Sequence, residues 1–239
     1  MPNHITNRLT IIGSTEQVET VKEFIKIEKQ EENQEVFGIG TIDFDKILPM
    51  PEDLHINPHM GITTTAEHAI KEPLNSNPLM AMLQNANREK GKSPLEFDEE
   101  EWELFIKVLN NRRKYGAFTW YEWANENWET KWNAYGQPDK RNTENIIFFQ
   151  TAWSCPHNLM KKLSEMFPDV EFEVAWADED LGHNLGIIKL KNGEILKQNM
   201  PQSGSLNAKK MYFEITLDTL EQHDMNENYE YIEDTPNES

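Results

Sequence analysis

Two strand–helix–strand patterns, one near each end of the chain, constrain the fold more than any other feature of the sequence. The first begins at Asn7 with the alternating segment NRLTIIG. It continues into STEQVETVKEFIKIEKQ, whose apolar residues recur at helical spacing. Its second strand is predicted in EVFGIGTIDFDKILPMP, which is broken by Pro49 and Pro51.

The second pattern begins at NIIFFQTAW, which is apolar on both faces and is therefore expected at a central position in a sheet. A helix is predicted in SCPHNLMKKLSEMFPD, with Ser154 as its N-cap. In VEFEVAWADED, the alternate residues from Val170 to Trp176 share one face of a strand. A hairpin that turns at Asn192-Gly193 follows, and KMYFEITL is interpreted as a last strand.

Two such halves that share one antiparallel sheet form the ferredoxin-like pattern. The sequence therefore predicts an α+β fold, with a ferredoxin-like antiparallel sheet, helices on one face and a long, mainly helical insertion. The predicted core is residues 1–51 and 143–217, and the helical, aromatic-rich insertion is residues 52–142. Residues 218–239 form an acidic tail without Lys or Arg, which is expected to be disordered.

Charge and hydropathy disfavour several classes of function. The 239 residues carry a formal charge of −19, so direct DNA or RNA binding is not expected, because neutralisation of phosphates by Lys and Arg drives that affinity. No apolar run is long enough to cross a membrane, and the first residues lack a signal-peptide core, so a cytoplasmic protein without membrane contact is expected. Cys155 is the single cysteine, which argues against a multi-cysteine zinc site.

Four of the seven tryptophans fall in the segment AFTWYEWANENWETKWNAYG. Large aromatic side chains usually form a core, which is one interpretation of the segment. The alternative is a partly open pocket or an interface, since tryptophan is enriched in binding hot spots. The candidate ligand- or partner-binding residues are Trp123, Trp128, Lys131, Trp132 and Trp153.

Acidic residues outside the tail are densest in EFDEEEWE, at the start of a predicted helix. The acids of this segment that begin the helix are Asp98, Glu99, Glu100, Glu101 and Glu103. Acids at this end of a helix interact favourably with its dipole, and that is the simpler explanation. Together with the tail they could instead present a phosphate-like array to a protein with a basic surface.

The segment ADEDLGH contains the carboxylates and the histidine with the clearest potential for chemistry. Asp178, Glu179, Asp180 and His183 lie at a strand end, where such groups could bind a metal or supply an acid and a base. The same composition is common in polar turns, which is the favoured interpretation.

Other reactive side chains lack a recognisable motif. Cys155 lies at a helix start two residues before His157, but no third member of a catalytic triad is visible. His55, His59 and His68 are not spaced as a helical metal pair. No catalytic residue, metal site or cofactor is therefore predicted, and an enzyme is the less favoured alternative.

Two motifs resemble the YubB-like family of phage and plasmid accessory proteins. One is an Asn-Trp-x-Thr-Lys-Trp run, here Asn127–Trp132, and the other is a Thr-x-Trp-x-x-Pro turn, here Thr151–Pro156. Glu129 stands where the family pattern has a small residue, often glycine. The resemblance extends to about Asn192 and is weakest between residues 55 and 100 and in the tail. It implies a ferredoxin-like fold and a mobile-element origin, without an established reaction.

These observations favour a non-enzymatic phage or plasmid accessory protein that binds a host or defence protein with a basic surface. An anti-defence inhibitor is its most specific form, acting in the host cytoplasm if the protein is phage-encoded. The alternative is a small-ligand binder in which a Trp-lined pocket and Lys131 hold a nucleotide, because aromatic side chains stack on bases.

Overall fold

The computed structural model describes residues 2–28, 38–57, 60–71, 73–89 and 91–232, which divide into two compact units. The sheet unit comprises Met1–Pro49 and Asn127–Ser239, and the helical unit comprises Met50–Glu126. Residues 127–142, which were predicted to be part of the insertion, belong to the sheet unit because part of this segment is hydrogen-bonded to the sheet edge.

Within the described residues, five antiparallel strands form the sheet, in the order β2-β1-β3-β4-β5. They are β1 (His4–Ile12), β2 (Ile146–Ala152), β3 (Glu171–Asp178), β4 (Leu185–Lys191) and β5 (Glu194–Asn199). Strand β1 lies between β2 and β3, which are themselves connected through a helix, as in a split βαβ unit. The predicted α+β, ferredoxin-like fold is confirmed.

Eight α-helices accompany the strands in the described part of the chain. They are α1 (Thr15–Ile25), α2 (Phe44–Ile47), α3 (Met60–Ala69), α4 (Pro78–Arg88), α5 (Glu99–Tyr115), α6 (Trp120–Asn127), α7 (His157–Met166) and α8 (Leu206–Thr216). Among the described helices, none has the length and the apolar character that a membrane crossing requires.

Helices α1 and α7 cover one face of the sheet. The rings of Phe24 in α1 and Phe167 at the end of α7 meet edge to face, with centroids 5.5 Å apart. On the sheet side, Leu9 of β1 pairs with Val174 of β3, and both are fully buried. The alternating apolar residues of VEFEVAWADED therefore form the face of β3 that packs in the core, as predicted.

Helix α8 covers the opposite face and occupies the segment where a last strand was predicted. That prediction is wrong, because the apolar residues Ala208, Met211 and Ile215 recur at helical rather than alternating spacing and are buried. Ser205 caps the helix by accepting a hydrogen bond from the backbone N–H of Ala208. The helix packs on the small side chains of β3, so helices lie on both faces of the sheet and not on one face as predicted.

The strand predicted in EVFGIGTIDFDKILPMP is also wrong within the described residues, which begin at Gly38 in this segment. Ile39 forms an isolated bridge with Thr41, and Phe44–Ile47 form helix α2. The Asp43 carboxylate accepts a hydrogen bond from the N–H of Asp45 at 3.1 Å, which caps a helix turn and not an extended strand.

Strand β2 was expected to be central but is the terminal strand of the sheet. Its outer edge is bonded to the preceding segment, since Tyr135 and Gln150 exchange two backbone hydrogen bonds of 3.0 and 2.7 Å. The Asn142 side chain also accepts from the N–H of Phe148 at 2.7 Å. Both faces of the strand are covered, which explains its apolar residues on each side. Phe149 packs against Phe44 on one face, and the Arg141 guanidinium stacks on Phe148 on the other.

The hairpin prediction is confirmed. Asn192 and Gly193 connect β4 to β5 with φ angles of 48° and 77°, and a type I′ turn requires positive φ at both positions.

The acidic tail packs on α8 over the part that the structure describes, residues 218–232. The ring of Tyr229 lies 5.7 Å from that of Phe213, and Met225 forms a bridge with Tyr231. The whole tail, residues 218–239, was expected to be disordered, and its residues up to 232 pack instead as described. Residues 233–239 lie outside the described residues, and their disorder stays a prediction.

Candidate binding surfaces

Trp128 belongs to the core of the sheet unit. Its side chain is 3% exposed, and its Nε1 donates a hydrogen bond to the carbonyl of Leu48 at 2.9 Å. The indole also meets the ring of Phe44 edge to face at 5.8 Å. Trp123, another candidate, is buried in the helical unit with 6% exposed. The structure thus gives both side chains a packing role.

Three of the candidate residues come together at the end of β2 and form what we call the Lys131 cluster: Lys131, Trp132 and Trp153. The Lys131 ammonium lies 4.5 Å from the ring centroid of Trp132 and 5.4 Å from that of Trp153. A cation at these distances is attracted to the faces of both indoles. In the part of the chain that the structure describes, Lys131 forms no ion pair with a carboxylate.

The polypeptide holds the Lys131 cluster through several backbone contacts. Trp153 has a φ of 72°, a conformation that is uncommon for a residue other than glycine. Its N–H donates to the carbonyl of Asn3 at 3.0 Å, and its carbonyl accepts from Nδ2 of Asn184 at 3.1 Å. These bonds fix the Trp153 indole with 40% of its surface exposed beside the ammonium.

Tyr135 extends the cluster towards the sheet. Its ring lies 6.2 Å from that of Trp132, and its hydroxyl donates to the carbonyl of Thr151 at 3.2 Å. Nδ1 of His4 lies 2.6 Å from the same hydroxyl. Burial raises the pKa of the Tyr135 hydroxyl, so this group is a neutral hydrogen-bonding contact at physiological pH.

Glu129 stands where the resemblance implies a small residue, and the structure shows both a backbone cost and a hydrogen-bonding role for it. Its φ is 60°, in the left-handed region that favours glycine. Its carboxylate accepts hydrogen bonds from the backbone N–H and from Nδ2 of Asn158, each 2.8 Å long. Pro156, the N-cap residue of α7, supplies no side-chain cap, so Glu129 caps that helix instead.

Substitution of Glu129 should separate the cost of its left-handed backbone from the stabilisation that its carboxylate gives as the cap of α7. We expect Glu129→Ala to lower the free energy of unfolding by about 1–2 kcal/mol, because the cap is lost and the left-handed backbone remains. Glu129→Gly should be about 1 kcal/mol more stable than the alanine variant, since glycine adopts this backbone without steric cost. Urea denaturation of the two variants measures the difference, and an alanine variant as stable as the glycine variant would contradict the backbone explanation.

Asp178 is a structural brace between the sheet and its flanking loops. Its carboxylate is 5% exposed and accepts three hydrogen bonds of 3.0 Å, from Nδ2 of Asn3, Nδ2 of Asn184 and the N–H of Asp180. His183 contacts Ser203 instead, with Nδ1 and Oγ 2.7 Å apart. Within the described residues, no group of three or more His, Cys, Asp or Glu side chains is arranged to hold a metal ion.

Cys155 and His157 do not form a reactive pair. Burial raises the pKa of the Cys155 thiol well above its ordinary value, so the thiol stays protonated and weakly nucleophilic. The imidazole of His157 meets the ring of Trp176 edge to face at 4.5 Å, and burial lowers its pKa. His55 and His68 are exposed, and His59 lies outside the described residues.

In the helical unit, α4 presents its apolar side chains to solvent. Its half-buried face is polar, because Nε2 of Gln84 and Nε of Arg88 both contact Oε2 of Glu67 in α3, at 3.2 and 3.4 Å. The outward apolar face, which we call the α4 face, consists of Leu79 (61% exposed), Met80 (50%), Met82 (61%) and Leu83 (48%). The sequence predicted a mainly helical insertion over residues 52–142 but not the direction in which the apolar side chains of α4 point.

Two residues of the acidic run at the start of α5 cap the helix. Asp98 accepts a hydrogen bond from the N–H of Glu101 at 2.9 Å, and Glu101 accepts from the N–H of Asp98 at 3.0 Å, which forms a capping box. Three further acids of the run are exposed, namely Glu99, Glu100 and Glu103.

Comparison with known proteins shows a family similarity over part of the chain. Residues 128–230 match the family model described as the ferredoxin-like domain in Api92-like protein. No curated protein matches the chain. The crystal structure of a protein api92 from Yersinia pseudotuberculosis aligns with 86% of this chain and 100% of that chain, with 10% identity and a TM-score of 0.41. The part of the sheet unit that starts at Trp128 is therefore similar to the ferredoxin-like domain of Api92-like proteins.

Proposed function

We propose that this chain is a non-enzymatic accessory protein of a phage or plasmid that binds a host or defence protein, and that it acts as an anti-defence inhibitor in the host cytoplasm. The single observation that carries the binding role is the outward orientation of the α4 face. The mobile-element origin rests on the resemblance to YubB-like proteins.

The α4 face is unusual because folding normally turns the apolar side of a helix inwards. Here the inward contacts are those of Gln84 and Arg88 with Glu67, and four large apolar side chains lie outside. Such patches on a protein surface mark interaction sites, and methionine adapts its shape to different partners.

The net charge of the chain indicates which kind of partner surface it would bind. The chain carries −19, which attracts a surface rich in Lys and Arg over long range. We therefore expect an apolar groove or helix face that is bordered by basic side chains.

Site-specific photo-crosslinking tests this proposal. A benzophenone side chain at Met82 should capture a defined protein in bacterial cells, whereas the same group at Leu196, an exposed residue of β5, should not. Capture at Met82 should be lost when Leu79→Glu and Leu83→Glu are introduced. Capture of the same proteins from both positions, or continued capture by the double variant, would contradict the proposal.

A nucleotide-binding function is the second candidate, and the Lys131 cluster favours it. The ammonium between two indoles could meet a phosphate, while the exposed surface of Trp153 could stack on a base. Titration of tryptophan fluorescence with a panel of nucleotides should show saturable quenching that Trp153→Phe and Lys131→Gln weaken. The absence of a response across the panel would eliminate this candidate.

A further inference from the structure

The exposed face of α5 is charge-polarised along its length, and this feature is independent of the α4 face. Glu99 and Glu103 lie in its amino-terminal half, Ile106 follows them, and Arg113 lies in the last turn. Their spacing of three, four and seven residues places them on one side of the helix. The opposite side faces inwards, with Phe105, Val108 and Asn111 buried.

The charges of this face have no partners within the described chain. Glu99, Glu103 and Arg113 are exposed and form no ion pair with any described residue. Lys114, one residue further along, does have a partner, since its ammonium lies 3.1 Å from the carboxylate of Asp53. The exposed apolar side chains of this part of the helix are Trp102 (47%) and Ile106 (41%).

The arrangement is symmetric about Ile106. Glu99 lies seven residues before it and Arg113 seven residues after it, which corresponds to about 10 Å of helix in each direction. A second copy of α5 that runs antiparallel across a two-fold axis at Ile106 would place Glu99 opposite Arg113 at both ends. A parallel copy would instead place like charges opposite one another.

We propose that α5 pairs with α5 of a second copy in this antiparallel register and forms a symmetric dimer. The two ends are held by Glu99–Arg113 pairs, and the centre by Ile106, with Trp102 alongside. In such an isologous interface every contact occurs twice. A contact of one helix with its copy lies at the small end of specific interfaces, so the dimer is expected to be weak and concentration-dependent.

Charge reversal and mixing provide the test. Sedimentation equilibrium of the full chain at about 0.15 M salt, where the long-range repulsion between two copies of charge −19 is largely screened, should show concentration-dependent dimerisation. Glu99→Lys and Arg113→Glu should each weaken the dimer by about tenfold or more, since each creates two repulsive pairs. Glu19→Lys on α1 is the control for Glu99→Lys, because it makes the same charge change at an exposed residue outside α5. It should leave the dimer unchanged.

An equimolar mixture of the two α5 variants decides the register. In the mixed dimer, the lysine introduced in one chain faces the glutamate introduced in the other, and the retained Arg113 faces the retained Glu99. Association should therefore return to that of the unmodified chain, and this recovery also shows that neither variant is misfolded. The proposal is overturned by a chain that stays monomeric, by a dimer that tolerates Glu99→Lys, or by a mixture that fails to associate. None of these outcomes depends on the α4 face.

Discussion

Replacing Trp128 with alanine is expected to lower the free energy of unfolding of the sheet unit by about 3–5 kcal/mol. The indole is 3% exposed and lies against Phe44, so alanine would leave a cavity beside α2. The change would also remove the hydrogen bond to the carbonyl of Leu48. Urea denaturation followed by far-UV circular dichroism measures the loss without depending on the fluorescence of the missing tryptophan.

Two further substitutions interpret the result. Trp128→Phe keeps most of the apolar volume and removes the N–H donor, so its cost of about 1–3 kcal/mol isolates the hydrogen bond. Trp102→Ala removes a tryptophan that is 47% exposed and should change stability by about 1 kcal/mol at most. If Trp128→Ala were as mild as Trp102→Ala, the segment after Trp128 would not be anchored as the structure indicates.

The tryptophans illustrate what the sequence could determine. Aromatic density in Ala117–Gly136 allowed two interpretations, a core or a binding surface, and the buried Trp123 and Trp128 follow the first. Residue type could not separate the buried Trp128 from the exposed Trp153 at the end of β2, because that difference arises from contacts with residues distant in sequence, such as Leu48 and Asn184. Residue type indicates which side chains can be buried, and tertiary contacts determine which of them are buried in the folded chain.

The secondary structure shows the same limit. Strand β3 was predictable because its alternation coincides with burial on one face. Helix α8 was not, since Tyr212, Phe213 and Ile215 have high strand propensity while tertiary packing on β3 stabilises the helix. The α4 face was missed for a related reason. Amphipathic spacing shows that a helix has an apolar side, and the contacts of Gln84 and Arg88 with Glu67 show which side points inwards.

Asp178 gives the second large expected effect and separates a structural role from a catalytic one. Asp178→Leu should lower the free energy of unfolding by about 2–4 kcal/mol, because it removes the acceptor for Asn3, Asn184 and the N–H of Asp180. Asp178→Asn should cost less, since the amide oxygen can still accept. Urea denaturation compares both with Glu179→Ala, which alters an exposed neighbour and should have little effect.

A metal titration completes the comparison. Three donors already occupy the buried Asp178 carboxylate, so Mg²⁺, Ca²⁺ or Zn²⁺ should leave the melting temperature of the unmodified chain unchanged. A metal-dependent rise that disappears in Asp178→Asn would show that these hydrogen bonds are exchanged for coordination. It would restore the acid-rich turn as a candidate for chemistry. An unchanged melting temperature, combined with the large loss in Asp178→Leu, would mean that the acid holds the sheet end together and thereby positions Trp153 beside Lys131.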